Sequence, residues 1–144
     1  MSATPGFELL DHQADIGVRA VGATLAGVFV QTARGLFSVM IALDAVRPIE
    51  TLDVDLRSAA LDQLLIDWLG ELLAQKDLSG CMFSRFEASV RQEADGWRLT
   101  GRAMGEPLDV GRHDPRVEVK GISHLGLSVQ RERGQWAARV VLDV

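Results

Sequence analysis

A chain of 144 residues is long enough for one hydrophobic core, and we expect one domain over residues 1–144. With 47% hydrophobic and 24% charged residues the composition is that of a globular protein, and no apolar run approaches the roughly 20 residues of a membrane-spanning helix. A net charge of −5 argues against strong direct binding of nucleic acid through its phosphates, so any role that involves nucleic acid would pass through a protein partner.

The N-terminal residues 1–6 are polar and lack the charged and apolar regions of a signal peptide. The single cysteine, Cys81, has no partner in the chain for a disulfide, which is typical of proteins in a reducing compartment. Together these features predict a cytoplasmic protein.

The first half of the chain predicts strands and two amphipathic helices. Strands at residues 8–10 and 16–21 flank a polar turn at residues 11–15, and Thr24 is a candidate N-cap for a helix that begins at Leu25. Alternating residues 51–56 predict a further strand, after which Ser58 is a candidate N-cap. A stripe of Leu and Trp side chains over residues 61–73 then predicts the clearest helix of the sequence.

The second half predicts strands only. Strands at residues 82–92 and 97–104 flank an Ala-Asp-Gly hairpin signal, and strands at residues 117–131 and 135–144 flank a Glu-Arg-Gly turn. Between these hairpins lies a polar loop over residues 105–116, in which we expect His113 to be exposed. Two amphipathic helices need a sheet to cover, so the order of elements predicts an α+β fold, a two-layer sandwich of mostly antiparallel sheet covered by the two helices.

Carboxylates concentrate in two places that could bind a cation. Asp11 and Asp15 flank His12 in the polar turn, and Asp143 lies in the last strand beside the oxygens of Val144. Several oxygens in one small volume would suit a hard cation such as Ca²⁺ or Mg²⁺. The alternatives are a turn held by hydrogen bonds to backbone amides and an exposed carboxylate at a strand end.

The histidines and the single cysteine do not have the spacing of a zinc site. Lys120 either balances a nearby carboxylate cluster or projects into water. A hydrolase in which carboxylates activate a water is a further alternative, although the sequence supplies no second base or nucleophile at a recognisable spacing.

The sequence resembles the archease family. Residues 7–17 (Phe-Glu-Leu-Leu-Asp-His-Gln-Ala-Asp-Ile-Gly) are similar to the family's opening segment, and residues 64–73 (Leu-Leu-Ile-Asp-Trp-Leu-Gly-Glu-Leu-Leu) to its Leu-Leu-x-x-Trp-Leu-x-x-Leu-Leu helix. Further similar segments are residues 24–25, 28–29 and 33–37, Gly105-Glu106, Val119 to Ser123 and Val141 to Val144. The similar segments span nearly the whole chain in the family's order.

The resemblance implies a protein that is not itself an enzyme. Archeases activate RtcB-type RNA ligases in tRNA splicing and RNA repair, by speeding guanylylation of the ligase and helping it to turn over repeatedly. It also implies a divalent metal site, usually of Ca²⁺ with Mg²⁺ or Mn²⁺ as alternatives, whose ligands match Asp15, Asp143 and Val144 and, less firmly, Asp11.

Two further positions, His12 and Lys120, match residues that would shape this site or contact the ligase. The chain departs from the family pattern at His124 and Leu125, where Tyr-His is common, so one imidazole is shifted by a residue. A general chaperone or modulator of RNA-modifying enzymes is the alternative function.

Overall fold

A computed structural model describes residues 4–11 and 15–144, with the exception of the side chain of Asp11. The described elements are seven strands, three helices and one turn of 3₁₀ helix at Leu43–Ala45. In chain order they are β1 (Gly6–Asp11), β2 (Asp15–Gly22), α1 (Leu25–Met40), β3 (Glu50–Ser58), α2 (Leu61–Ser79), β4 (Cys81–Glu93), β5 (Gly96–Pro107), α3 (Val110–His113), β6 (Gly121–Glu132) and β7 (Gln135–Asp143).

The strands form two sheets, one of four strands in the order β1-β2-β7-β6 and one of three in the order β3-β5-β4. Every described strand pair is antiparallel. Helices α1 and α2 each contact strands of both sheets, so they cover the two sheets together. The predicted α+β sandwich is confirmed, with the difference that its strands divide into two sheets. That residues 1–144 form one domain stays a prediction.

Helix α1 begins as predicted, because the side chain of Thr24 accepts a hydrogen bond of 2.9 Å from the amide of Gly27. Its apolar stripe faces β2 of the first sheet and β4 of the second, where Phe37 packs against Phe83 and Phe86. At Gly35 the helix comes so close to β2 that an added Cβ would lie 2.5 Å from Cγ1 of Val18. Helix α1 therefore packs directly against β2, the strand that begins with Asp15.

Helix α2 supplies the largest side chain of the core. Trp68 is fully buried, packs edge-on against Phe86 and donates its indole N–H to the carbonyl oxygen of Phe29 at 3.1 Å. The prediction that Ser58 caps this helix was wrong, because Ser58 is still paired with Trp97 as the last residue of β3. The N-cap is Ala60, which has no side-chain oxygen to offer.

The predicted strand over residues 117–131 begins four residues later, at Gly121. The amides of Arg116 and Val117 donate instead to the carbonyl oxygens of Met40 and Val39, at 2.8 and 3.3 Å. These are carbonyls of the last turn of α1, which have no partner within the helix. The segment before β6 is therefore used to close the C-terminal end of α1.

None of the helices in the described part of the chain is both long enough and apolar enough to cross a membrane.

Candidate functional site

Strand pairing brings together the two carboxylates that the sequence leaves far apart. Asp15, the first residue of β2, lies directly opposite Asp143, the last residue of β7. On the other side of β7, Gly121 lies opposite Asp143. Residues opposite each other on adjacent antiparallel strands have Cβ atoms about 4.5–5.5 Å apart, so the two carboxyl groups share one small region at the end of the first sheet.

These residues line an open cavity of about 270 Å³. Its lining consists of Asp15, Asp143, Gly121, Ile122 and Ser123. Asp143 is exposed, whereas Asp15 is half-buried. Gly121 has no atoms within 4 Å of an added Cβ, which shows how open this corner of the sheet is. The site is therefore acidic, polar and accessible from solvent.

Lys120 is tied to the same site through its backbone, since its amide donates to the carbonyl oxygen of Asp143 at 2.8 Å. The residue is exposed. Val144 follows Asp143 directly and packs against the hydrophobic core. It thus anchors the end of β7 beside the cavity.

His12 and the side chain of Asp11 lie outside the described part of the chain.

The side chains of the cavity offer the oxygen ligands that a hard cation prefers, but only a few of them. Two carboxylates and the hydroxyl of Ser123 are oxygen ligands of the kind that Ca²⁺ and Mg²⁺ take. Within residues 4–10 and 15–144, no three His, Cys, Asp or Glu side chains come together as a metal-binding group. A cation held here by Asp15 and Asp143 would therefore complete its shell with backbone oxygens or water.

A second polar cluster, which the sequence did not predict, is buried at the end of β5. The side chain of Glu106 accepts hydrogen bonds from the backbone amide of Arg47, from the guanidinium group of Arg112 and from Nε2 of His113 at 3.1 Å. Nδ1 of His113 accepts from the amide of Asp109 at 2.8 Å, so the ring proton lies on Nε2. The expectation that His113 is exposed was wrong, since it is only 2% exposed.

These donors hold the pKa of Glu106 at about 2, below its ordinary 4.5. The main cause is the hydrogen bond from the Arg47 amide, with further contributions from His113 and Arg112 against the opposing effect of burial. No buried side-chain nitrogen or oxygen of the described residues lacks a hydrogen-bond partner, so the cluster is satisfied within the protein and holds the loop after β5 in place. The one sequence signal that could have revealed it is Asp109, whose side chain caps α3 by accepting from the amides of Gly111 and Arg112.

Comparison with known proteins identifies the family of this chain. Residues 7–144 match the model of the Archease protein family (MTH1598/TM1083). Protein archease of Methanopyrus kandleri is 36% identical over 138 residues, which cover 96% of this chain and 99% of the relative.

Solved structures agree with this assignment. The solution structure of Methanobacterium thermoautotrophicum protein 1598 has a TM-score of 0.87 and 38% identity, and the match covers 96% of this chain and 99% of that one. The crystal structure of an archease from Thermotoga maritima, described as a possible chaperone, has a TM-score of 0.57 at 16% identity over 100% of this chain and 98% of that one. This second likeness concerns the fold alone. On the family match and the identity to its relatives over nearly their whole length, the chain belongs to the archease family.

Proposed function

We propose that this chain is a non-catalytic protein cofactor that activates an RtcB-type RNA ligase in tRNA splicing and RNA repair. It would promote guanylylation of the ligase and its multiple turnover. The observation that carries the proposal is the open pair of carboxylates formed by Asp15 and Asp143 in a chain of the archease family. The ligase itself is inferred from the sequence resemblance described above.

In this proposal Asp15 and Asp143 hold a divalent cation, with Ca²⁺ as the first choice and Mg²⁺ or Mn²⁺ as alternatives. The cation would supply a concentrated positive charge at an otherwise acidic surface. Support comes from the direct opposition of the two residues, since like charges on opposite strands repel one another and a bound cation would offset that repulsion. Val144 and Asp11 would add oxygen ligands.

The position of the pair supports a role in contact with another protein. Asp143 is exposed at the end of the sheet, and its carbonyl oxygen fixes the backbone of Lys120, which is also exposed. Lys120, together with His12, would contact the ligase or shape the site. An acidic surface of this kind complements a ligase that is basic where it binds RNA and GTP.

The test is a guanylylation assay of a cognate RtcB-type ligase with GTP and Mn²⁺. We expect substoichiometric amounts of the wild-type chain to accelerate guanylylation, and the variant Asp143→Ala to abolish the acceleration. Asp53→Ala is the matched control, because the Asp53 side chain is 84% exposed on the second sheet. No acceleration of a ligase that reacts on its own would contradict the proposal. Full activation by Asp143→Ala would contradict the role of the carboxylate pair.

A general chaperone or modulator of RNA-modifying enzymes is the second candidate function. It is supported by the description of the Thermotoga maritima archease as a possible chaperone and by large apolar side chains on the surface of this chain. Leu78 is 80% and Leu125 83% exposed. Suppression of the aggregation of unrelated unfolded proteins, without any effect on the ligase, would favour this candidate.

A further inference from the structure

Strand β4 forms one edge of the second sheet. The order of this sheet is β3-β5-β4, and β5 is the only described strand that pairs with β4. Within the described part of the chain, no backbone hydrogen bond joins residues 85–93 to any segment other than β5. An edge strand presents a row of amides and carbonyls that can pair with another strand.

The outward-facing side chains of this edge alternate in charge. Every second residue from 85 to 93 lies on the outer face of the sheet, in the order Arg85, Glu87, Ser89, Arg91 and Glu93. The first four are exposed and Glu93 is half-buried. This order is self-complementary, because reversing the strand about Ser89 places Arg85 opposite Glu93 and Glu87 opposite Arg91.

The complementarity holds for one alignment of two antiparallel β4 strands and is lost in its neighbours. A shift by two residues in one direction places Arg85 opposite Arg91, and a shift by two in the other direction places Glu87 opposite Glu93. Like charges directly opposite each other are destabilising, whereas opposite charges stabilise a strand pair. The charges therefore favour the register that is centred on Ser89.

The chain itself leaves some of these charges without a counterpart. Neither Arg85 nor Glu87 forms an ion pair with any residue that the structure describes. Arg91 lies 3.6 Å from Glu93, but directly opposite the like charge of Arg98 on β5. The Glu87 carboxylate of a second copy would therefore add an opposite charge beside two guanidinium groups.

The inner face of the strand fits the same register. Ala88 and Val90 are half-buried and pack against the hydrophobic core of their own chain. Centring the pairing on Ser89 places Ala88 of one copy opposite Val90 of the other, so that apolar side chains meet on the inner face.

The other edge of the same sheet lacks this property. The outer face of β3 carries Asp53 and Asp55 in succession. Antiparallel pairing of two β3 strands about their midpoint, Val54, would place these carboxylates opposite each other. Self-complementary charge thus distinguishes β4 from β3.

We propose that two copies of this chain associate through β4, in antiparallel register about a two-fold axis at Ser89. The two three-stranded sheets then form one sheet of six strands in the order β3-β5-β4-β4-β5-β3, and each complementary pair occurs twice. The contact lies on the second sheet, whereas Asp15 and Asp143 lie on the first, so the inference goes beyond the proposed function. One strand from each copy is a small interface, which predicts an equilibrium between monomer and dimer.

The test is sedimentation equilibrium of the full chain over a range of concentrations, with circular dichroism to verify that each variant is folded. Arg91→Glu places carboxylates opposite each other twice, and Glu87→Arg does the same with guanidinium groups. We expect each single variant to raise the Kd of the dimer about tenfold or more. The double variant exchanges the two charges, and we expect it to restore dimer formation.

The matched control is Asp53→Arg, which reverses a charge on the same face of the sheet but at the other edge. It should leave the Kd of the dimer unchanged. A dimer that Arg91→Glu leaves intact, or that Asp53→Arg weakens as much, would place the contact elsewhere and overturn the inference. A folded double variant that stays monomeric would also overturn it.

A wild-type chain that is monomeric at every concentration would refute self-association and leave the edge of β4 to a strand of another protein. None of these measurements involves a ligase or a cation. The inference can therefore fail while the proposed function stands, and the reverse also holds.

Discussion

The two carboxylate clusters of this protein differ in where their hydrogen-bond donors and positive charges come from. Glu106 is buried and receives donors from the backbone of Arg47 and from the side chains of Arg112 and His113. Asp15 and Asp143 face each other at an open sheet end, and none of the described residues hydrogen-bonds to either carboxylate. The first cluster is complete within the chain and stabilises the fold. The second receives no such donors from the described residues, and in the proposed function a divalent cation takes their place.

The largest effect on stability is expected in the buried cluster. His113→Ala removes the acceptor of the Asp109 amide and one donor to Glu106, and it leaves a gap in the interior. We expect the free energy of unfolding to fall by about 1–3 kcal/mol in urea denaturation. His124→Ala is the control, since His124 is exposed and its loss should change the value by less than about 0.5 kcal/mol. Equal effects of the two variants would mean that the cluster does not stabilise the fold.

The pH dependence of stability tests the same cluster through Glu106. Its folded pKa of about 2 lies below the ordinary 4.5, so the stability contributed by the ionised carboxylate is complete above about 4.5 and is lost as the pH falls toward 2. We therefore expect Glu106→Gln to be less stable than the wild-type chain at neutral pH and to lose less stability over that acidic interval.

An appropriate control is Asp55→Asn, because the pKa of Asp55 is also lowered, chiefly by its hydrogen bond from Arg98, but on the surface. Urea denaturation at a series of pH values measures all three chains. Parallel curves for Glu106→Gln and the wild-type chain would contradict the role given to Glu106.

The pair formed by Asp15 and Asp143 should contribute little to stability, in contrast to the buried cluster. In the presence of a chelator, Asp143→Asn removes one of two facing like charges and no hydrogen bond to a described residue. We expect the free energy of unfolding to stay within about 0.5 kcal/mol of the wild-type value or to rise slightly. A loss as large as that of His113→Ala would show that Asp143 is structural, and the contrast between the clusters would disappear.

The sequence alone predicted the features that depend on local patterns. Periodic apolar residues predicted both long helices, because burial of one face is a local pattern that the chain repeats every turn. Strand β7 was predicted from a pattern that is equally local, because its side chains alternate between the two faces of the sheet. Ser58 was taken for a helix cap because a cap is a local signal, whereas its pairing with Trp97 in the sheet is not.

The sites depend even more on contacts between distant segments. Asp15 and Asp143 were candidate ligands from the sequence, but their direct opposition follows from the register of β2 and β7, which only the folded chain has. His113 was misjudged because its polar neighbours in the chain suggested exposure. Its actual surroundings come from β5 and from the backbone of Asp109.

The most direct test of the account is a calorimetric titration of the metal-free protein with Ca²⁺. We predict that the wild-type chain binds the cation, that Asp143→Asn loses this binding and that Asp53→Asn keeps it. The readout is the heat of binding, so it does not depend on any ligase. If Asp143→Asn bound Ca²⁺ with the affinity of the wild-type chain, the facing carboxylates would not be the cation site, and the central claim would be wrong.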